Sequence, residues 1–346
     1  MNLRALASGV PASYFGMVLG LSGLGGVWRA AHAVWLLPSV IGEMLMLAAS
    51  LVWVVLVVLF GLKWLLARQD ALAELAHPVQ SCFIGLIGVA TLLIAGGALP
   101  YSRSLAIGLF SLGASFTLLF GIWQIGGLWQ GDRDPATTTP VLYLPAVAGG
   151  FATANTLAAF GYADWGQLAF GGGLFSWLAI ESVLLHQLLT GPQMAAALRP
   201  TFGIQLAPPA VGAMAYMGIS QGPPDMLSHA LLGYGLLQAL VLIRLSGWLR
   251  QQPFGPSYWA FTFGATALAL APLRMMERGD SGAAATLAPI LFTAANAFVL
   301  LVAARTLWHG VGWASPAVSI KTPPAPPFDQ QGRSRSPLGT QGAGMP

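Results

Sequence analysis

A chain of 346 residues that is 56% hydrophobic and only 8% charged is too apolar for a soluble globule, whose charged content is about 25%. A lipid-facing outside removes the need for polar cover. The net charge of +4 is not arranged as a basic stripe with interleaved aromatics, which argues against a nucleic-acid partner. The lone cysteine, Cys82, cannot form an intrachain disulfide and sits in an apolar run, as a small buried hydrophobe does.

In chain order, residues 1–10 form a short arm with neither the apolar core nor the small-residue cleavage site of a secretory signal, so the first apolar run is expected to be a permanent span. Crossing the hydrocarbon core takes about 20 mostly apolar residues per helix. Ten such stretches follow, at 12–31, 38–66, 80–98, 103–129, 143–160, 164–188, 202–219, 226–249, 257–274 and 282–308. The connections are short and several hold Pro or Gly, as at Leu99-Pro100, Gly191-Pro192 and Gly222-Pro223-Pro224. Short connections predict that sequence neighbours pack as antiparallel hairpins. The transmembrane domain is placed at 11–309. From 310 to 346 the composition shifts to Pro, Ser, Gly and Gln, which predicts a disordered cytoplasmic tail.

The stretches alternate in character. Odd-numbered ones are rich in small residues and turn-formers, as in Pro145-Ala146-Val147-Ala148-Gly149-Gly150; even-numbered ones are longer and heavier in Leu, Val and Trp, as in Leu51-Val52-Trp53-Val54-Val55-Leu56. Small residues let helix backbones approach closely, and proline is tolerated where protein surrounds it. The alternation suggests five inner helices ringed by five outer ones; ten helices packed without symmetry is the alternative. Of the 15 Lys and Arg, Arg29, Arg103, Arg274 and Arg278 fall on one side and all others on the opposite side. The positive-inside rule then puts both termini in the cytoplasm of a multi-pass protein of the cell's inner (plasma) membrane.

Ionisable residues inside the spans are few: Glu43, Glu181, His186 and Arg244. All lie on even-numbered stretches, which favours pairing between helices or subunits over a place in a permeation path. Glu181 is the deepest of them, and Glu43 is within reach of the interface; both are read as structural polar groups. The odd-numbered stretches carry no Asp, Glu or Lys in their middles, so a titratable relay is not visible. They offer hydroxyls and amides instead, including Ser22, Thr91, Thr153, Asn155, Thr156 and Thr266, and the aromatics Phe15, Phe83, Phe151, Phe202 and Phe263. A neutral lining of this kind suits a weakly hydrated anion and an apolar plug. No catalytic cluster, cofactor motif or metal-ligand spacing is present, so the chain is read as a non-enzyme without cofactor or metal.

Several ordered fragments resemble the tellurite-resistance/dicarboxylate transporter (TDT) family, which includes bacterial tellurite-resistance proteins and the slow anion channels of plant guard cells. They are Pro11-Ala12-Ser13-Tyr14-Phe15-Gly16, His77-Pro78-Val79, Tyr143-Leu144-Pro145-Ala146-Val147-Ala148, Gly161-Tyr162, Gly203-Ile204, Gly233-Tyr234-Gly235 and Trp259-Ala260-Phe261-Thr262-Phe263-Gly264. The resemblance covers about residues 8 to 309. It implies an all-α membrane fold of ten helices, built as five hairpins in quasi-five-fold arrangement around a central pore and assembled as a homotrimer. It also implies that Phe263 on the ninth helix blocks the pore; Phe15, Phe83, Phe151, Phe202, Thr153 and Thr266, as aromatics and hydroxyls of the odd-numbered stretches, are the further candidates for lining it. The expected function is passage of small inorganic or organic anions through that pore. The alternative is a secondary transporter for C4-dicarboxylates or for tellurite or sulfite.

Overall fold

The computed structural model describes residues 3–251 and 253–308, so the tail expected over 310–346 lies outside the described residues. Helices dominate, and no strand occurs among the described residues. Ten long helical segments follow one another: α1 (Phe15–Trp35), α2 (Ser39–Leu66), α3 (Gln80–Ala98), α4 (Arg103–Leu128), α5 (Pro140–Ala159), α6 (Ala163–Thr190), α7 (Ala196–Ile219), α8 (Met226–Arg244), α9 (Ala260–Glu277) and α10 (Ala283–Trp308). Eight of them are long and apolar enough to cross a membrane unaided; α1 and α9 are the exceptions. The reason is visible in their sequences: α1 is glycine-rich and holds Arg29 and His32, and α9 ends on Arg274 and Glu277.

The odd-numbered segments share a geometric signature. Each begins with a turn that is not regular α-helix: a 3-10 turn at Ala12–Tyr14 before α1, a break at Gly85 within α3, 3-10 and π turns at Pro140–Leu142 and Leu144–Ala148 in α5, a 3-10 stretch at Ala196–Leu206 in α7, and a 3-10 turn at Pro256–Trp259 before α9. A proline stands at or near each start: Pro11, Pro78, Pro140, Pro200 and Pro256. Proline lacks an N–H and suits a first turn but disrupts the helix behind it. Irregular backbone of this kind survives at membrane depth only when protein covers it. The burial agrees: 89% of the most apolar window of α7 and 72% of that of α3 is buried, against 17% for α2 and 22% for α10. The even-numbered segments turn Val54, Leu112, Phe175, Leu240 and Leu300 outward, as lipid-facing helices do.

Each odd-numbered segment packs on the even-numbered one that follows it, and the odd-numbered ones also touch one another in sequence: α1 on α3, α3 on α5, α5 on α7, α7 on α9, and α9 back on α1. The last contact is a seam of small residues. A β-carbon on Gly20 would stand 2.2 Å from Thr262 Oγ1, one on Gly23 would stand 2.2 Å from Thr266 Oγ1, and one on Gly16 3.3 Å from Trp259 Cβ. The two threonine hydroxyls donate within their own helix, to Trp259 O at 2.8 Å and Phe263 O at 3.0 Å. They can therefore be buried against glycine without loss.

The amino-terminal arm is tied down rather than loose. Leu3–Ser8 is helical, and the buried Lys63–Glu74 ion pair at 2.6 Å also accepts the Ala12 N–H at 2.7 Å and donates to Val10 O at 3.2 Å. His77 starts α3: its Nδ1 accepts the N–H groups of Val79 and Gln80 at 3.1 and 3.2 Å. Burial lowers its pKa, and that favours the unprotonated acceptor this role needs.

Glu181 on α6 is 7% exposed, and no Lys, Arg or His lies within ion-pair distance of it among the described residues. Its charge is met by hydrogen-bond donors instead. Oε2 accepts from the Tyr143 hydroxyl, Trp177 Nε1 at 3.1 Å and Gln205 Nε2 at 2.9 Å; Oε1 accepts from the Tyr234 hydroxyl at 2.6 Å and, at longer range, from Gln238 Nε2 at 3.5 Å. A carboxylate has about four acceptor positions, so this one is saturated. The network joins α5, α6, α7 and α8. Commitment of the Gln205 amide nitrogen to Glu181 leaves Gln205 Oε1 without a partner, which marks the carboxylate as the acceptor that sets the local orientation. Glu43 on α2 serves a similar purpose at the opposite end. It holds Arg29 through two contacts, Nε at 2.9 Å and Nη2 at 2.6 Å, and accepts the Tyr101 hydroxyl.

Two outcomes follow from this packing. Gly23→Leu should lower the melting temperature in detergent, with an overpacking cost of about 1–3 kcal/mol, whereas Gly172→Ala, where nothing lies within 4 Å of the added carbon, should leave it unchanged. Glu181→Gln turns one saturated acceptor into a donor facing other donors, at a cost of about 2 kcal/mol or more. It should lower thermal stability while ion selectivity is retained; a change in permeability ratios with stability intact would place Glu181 in the pore.

Candidate functional site

The five odd-numbered segments run in the same direction, because each is followed by an antiparallel partner. Their N-terminal portions enclose one cavity and their C-terminal portions another. The first is small, about 40 Å³, and mostly apolar, bordered among others by Leu19, Phe83, Leu144, Ile204 and Trp259. The second is about 420 Å³ and more polar, bordered by Ser22, Asn155, Thr156, Arg29, Arg274 and Arg278. Among the described residues, only Val211 and Phe263 border both. These two side chains stand at the level where the apolar chamber gives way to the polar one.

Local packing explains how Phe263 comes to point there. Gly264 packs so closely on α7 that a β-carbon would be 2.8 Å from Leu206 Cβ, which turns that face of α9 toward α7. Thr266 and Thr262 face α1 across the glycine seam. Phe263 takes the remaining, inward direction and is only partly buried. Its Cδ2 lies 3.7 Å from the position of a β-carbon on Gly23, so the missing side chain there leaves space beside the ring. Phe261 points elsewhere. It covers Gly203, where a β-carbon would sit 2.5 Å from its ring, and it packs against Tyr258 and edge-on against Phe298, with centroids 6.0 and 6.4 Å apart.

The other residues expected to line a pore divide. Phe83 borders the small cavity. Phe151 borders it too, but its ring is fully buried between Gly173 and Gly212 and beside Phe170, with centroids 5.5 Å apart. Phe15, Phe202, Thr153 and Thr266 border neither cavity. Phe15 is fully buried edge-on to Phe60 of α2, at 6.3 Å. Phe202 packs edge-on to Trp248 at 5.6 Å, the indole that also carries the Arg199 guanidinium at 4.3 Å. Thr266 is spent on the seam with α1. A residue on an inner helix has several faces to choose from, and the type of side chain does not reveal which one it takes. Glu43 and Glu181 border neither cavity.

The large cavity shows what the pattern of charged residues conceals. Three of the four arginines on the charge-poor side of the sequence, Arg29, Arg274 and Arg278, converge on it. Arg29 is matched by Glu43, and Arg274 by Glu277 at 2.7 Å. Arg278 has no carboxylate within ion-pair distance among the described residues; its Nη1 donates to Ser220 O at 3.1 Å and lies 3.4 Å from Ser220 Oγ. No cluster of metal-ligating side chains occurs among the described residues.

Comparison with known proteins covers this whole arrangement. A family model described as voltage-dependent anion channel matches residues 9–307. The chain is 35% identical over 261 residues to a tellurite resistance protein TehA homolog of Haemophilus influenzae, an alignment covering 75% of this chain and 79% of that one. It is 25% identical over 311 residues to the S-type anion channel SLAH2 of Arabidopsis thaliana, covering 86% of this chain and 59% of the plant protein. With the guard cell S-type anion channel SLAC1 of the same plant it shares 23% identity over 317 residues, 88% of this chain and 56% of that one. The matched stretch runs from the turn before α1 to the end of α10 and contains every residue that borders the two cavities. The chain is therefore a multi-pass membrane protein, not an enzyme, and belongs to the SLAC1/TehA family of anion transport proteins.

Proposed function

We propose that this protein is an anion channel whose conduction path runs along the axis shared by α1, α3, α5, α7 and α9, with Phe263 as its gate. In this reading all ten segments span the membrane as five hairpins in quasi-five-fold order. The closed cycle of contacts among the odd-numbered segments supports the ring. The observation that carries the gate is that Phe263, with Val211, borders both the small apolar cavity and the large polar one. A phenyl ring in a narrow apolar passage excludes water, and an ion then meets nothing that replaces its hydration shell. Such a plug needs no charge. The path opens when the ring swings aside, and Gly23 leaves the space for it.

The charge-poor side, which holds the large cavity, is taken as extracytoplasmic, and both termini as cytoplasmic. Anions then meet a net positive vestibule on one side of the gate and an apolar, nearly neutral one on the other. The second reading, a carrier for C4-dicarboxylates or for tellurite or sulfite, shares the fold, and fold alone does not separate the two. Turnover does: a channel passes ions far faster than a carrier can cycle.

In planar bilayers under chloride, nitrate and malate gradients, Phe263→Ala should raise anion current strongly with the assembly intact. Phe261 lies about 200° around the helix from Phe263, so Phe261→Ala should lower stability and leave the current near its wild-type level. If Phe261→Ala opened the path and Phe263→Ala did not, the gate would be misassigned. Unchanged current in both would end the hydrophobic-gate reading, and a carrier-like flux in Phe263→Ala would favour the transporter. A reporter fused after Trp308 should be active only as a cytoplasmic reporter; periplasmic activity would invert the topology.

A further inference from the structure

We propose that the outer surface where the α8–α9 connection meets the C-terminal end of α10 seats the headgroup of one anionic phospholipid, with Arg250 and Arg305 gripping its phosphate. The inference does not depend on the channel reading, because this surface lies outside the bundle, away from both cavities.

The first argument is charge. From Met226 to Trp308 the only acidic residues are Glu277 and Asp280, and both stand at the opposite end of the segments, where α9 finishes. The near end carries Arg244, Arg250 and Arg305, all exposed. None of them has a carboxylate within ion-pair distance among the described residues. Arg250 and Arg305 share one locus. The Arg305 guanidinium stands over the Phe254 ring, 6.0 Å from its centroid, and Phe254 packs on Tyr258 with centroids 5.2 Å apart. The Tyr258 hydroxyl donates to Leu249 O at 3.4 Å, directly beside Arg250, and the charges of both arginines act on that hydroxyl. Arg250 donates its Nε to Ser246 O at 3.2 Å, which orients the side chain and leaves its two Nη groups for a ligand. Two guanidiniums without an acid make a site for an acceptor of negative charge, and their planar forks match the paired oxygens of a phosphate.

The second argument is position. The site sits at the ends of two outer segments, the level at which a bilayer carries its headgroups. Ile243 at the end of α8 and Leu301 and Leu307 at the end of α10 are 68%, 54% and 81% exposed. Trp308 is exposed too, as an indole at a membrane interface is. Acyl chains that leave a phosphate at this level run along these apolar side chains. A free phosphate gains nothing from them and keeps its hydration. A zwitterionic headgroup brings its own cation, which competes with the arginines. An anionic phospholipid meets both features, and basic pockets between membrane helices bind such headgroups.

The test is native mass spectrometry of the detergent-solubilised full chain titrated with phosphatidylglycerol or phosphatidylcholine. Wild-type protein should retain one phosphatidylglycerol per chain at a saturable site and phosphatidylcholine at least about tenfold more weakly. Arg250→Gln and Arg305→Gln should each weaken phosphatidylglycerol about fivefold, and the double substitution about twentyfold or more. Arg68→Gln removes an exposed charge at the same end of the bundle and should leave the affinity unchanged. Raising sodium chloride should weaken wild-type retention of phosphatidylglycerol, a readout that needs no variant to fold. Unchanged binding in the double variant, or no salt dependence, would overturn the proposal. An equal loss in Arg68→Gln would reduce the effect to general surface charge, and displacement of the lipid by excess inorganic phosphate would make this a free-anion site; either result overturns the lipid seat. No readout here is a current, so failure of the lipid seat leaves the channel reading standing, and failure of the channel reading leaves the lipid seat standing.

Discussion

The contact on which the rest depends is the glycine seam between α1 and α9. These are the first and last inner segments, and they are the two long segments not apolar enough to enter a membrane unaided. Each packs closely on the other. Gly20 and Gly23 give up their side chains so that Thr262 and Thr266 can reach the opposing backbone, and α2 and α10 cover the pair from outside. In lipid there is little hydrophobic gain from helix contact, so association rests on close van der Waals fit. The seam closes the cycle of contacts begun by α1 and α3. It also fixes the rotation of α9: with Thr262 and Thr266 toward α1 and Gly264 against α7, Phe263 has one direction left.

The irregular turns that open the inner segments have a related logic. A bilayer penalises every unpaired N–H and C=O, and a proline-led turn inevitably frees some of them. Placing all five turns on the buried segments, at the same end of the bundle, confines that cost to one protected level. The small cavity lies at that level, bordered by Ser13, Leu144, Ile204 and Ser257 from those turns. The outer segments show no such turn, and they can remain plain apolar helices because they carry none of the irregularity.

Much of this was legible in the sequence, and the reason it was legible is physical. The lengths and apolarity of the stretches located the long helices closely, as at 103–129 for Arg103–Leu128 and 282–308 for Ala283–Trp308. The contrast between small and bulky composition separated the more buried segments from the more exposed ones. The proline at each inner start was present as a signal, at Pro11, Pro78, Pro140, Pro200 and Pro256, although its regular placement is recognised only once the turns are seen. What composition could not reveal was rotation about the helix axis. Phe15, Phe202, Phe261 and Phe263 are alike by type, yet three of them pack against other helices and one faces both cavities. The role of the arginines was hidden for a different reason: counting charges by side gives topology, and only the fold brings Arg29, Arg274 and Arg278 from two distant parts of the chain to one chamber.

The distribution of charge through the bundle gives these features a common sense. Two buried charges away from the axis are met locally. Lys63 and Glu74 neutralise each other in a buried pair, and Glu181 is surrounded by donors from four helices. Neither arrangement projects much field, because a saturated group has its charge met within a few ångströms. The residues that share the small cavity with Phe263 include no Lys, Arg, His, Asp or Glu, so in the proposed path the constriction presents chiefly the cost of desolvation. Arg29, Arg274 and Arg278 instead border the larger chamber, which is wide enough to hold water. A cation at the constriction would bind an anion too tightly to release it, since binding in a conducting path must be weak enough to leave. The same cation in the hydrated chamber is partly screened, and it raises the local concentration of anions without trapping them at the narrow point. In the proposed channel, attraction and obstruction thus fall at different levels of one path, with the arginines bordering the larger chamber and Phe263 standing between the two cavities.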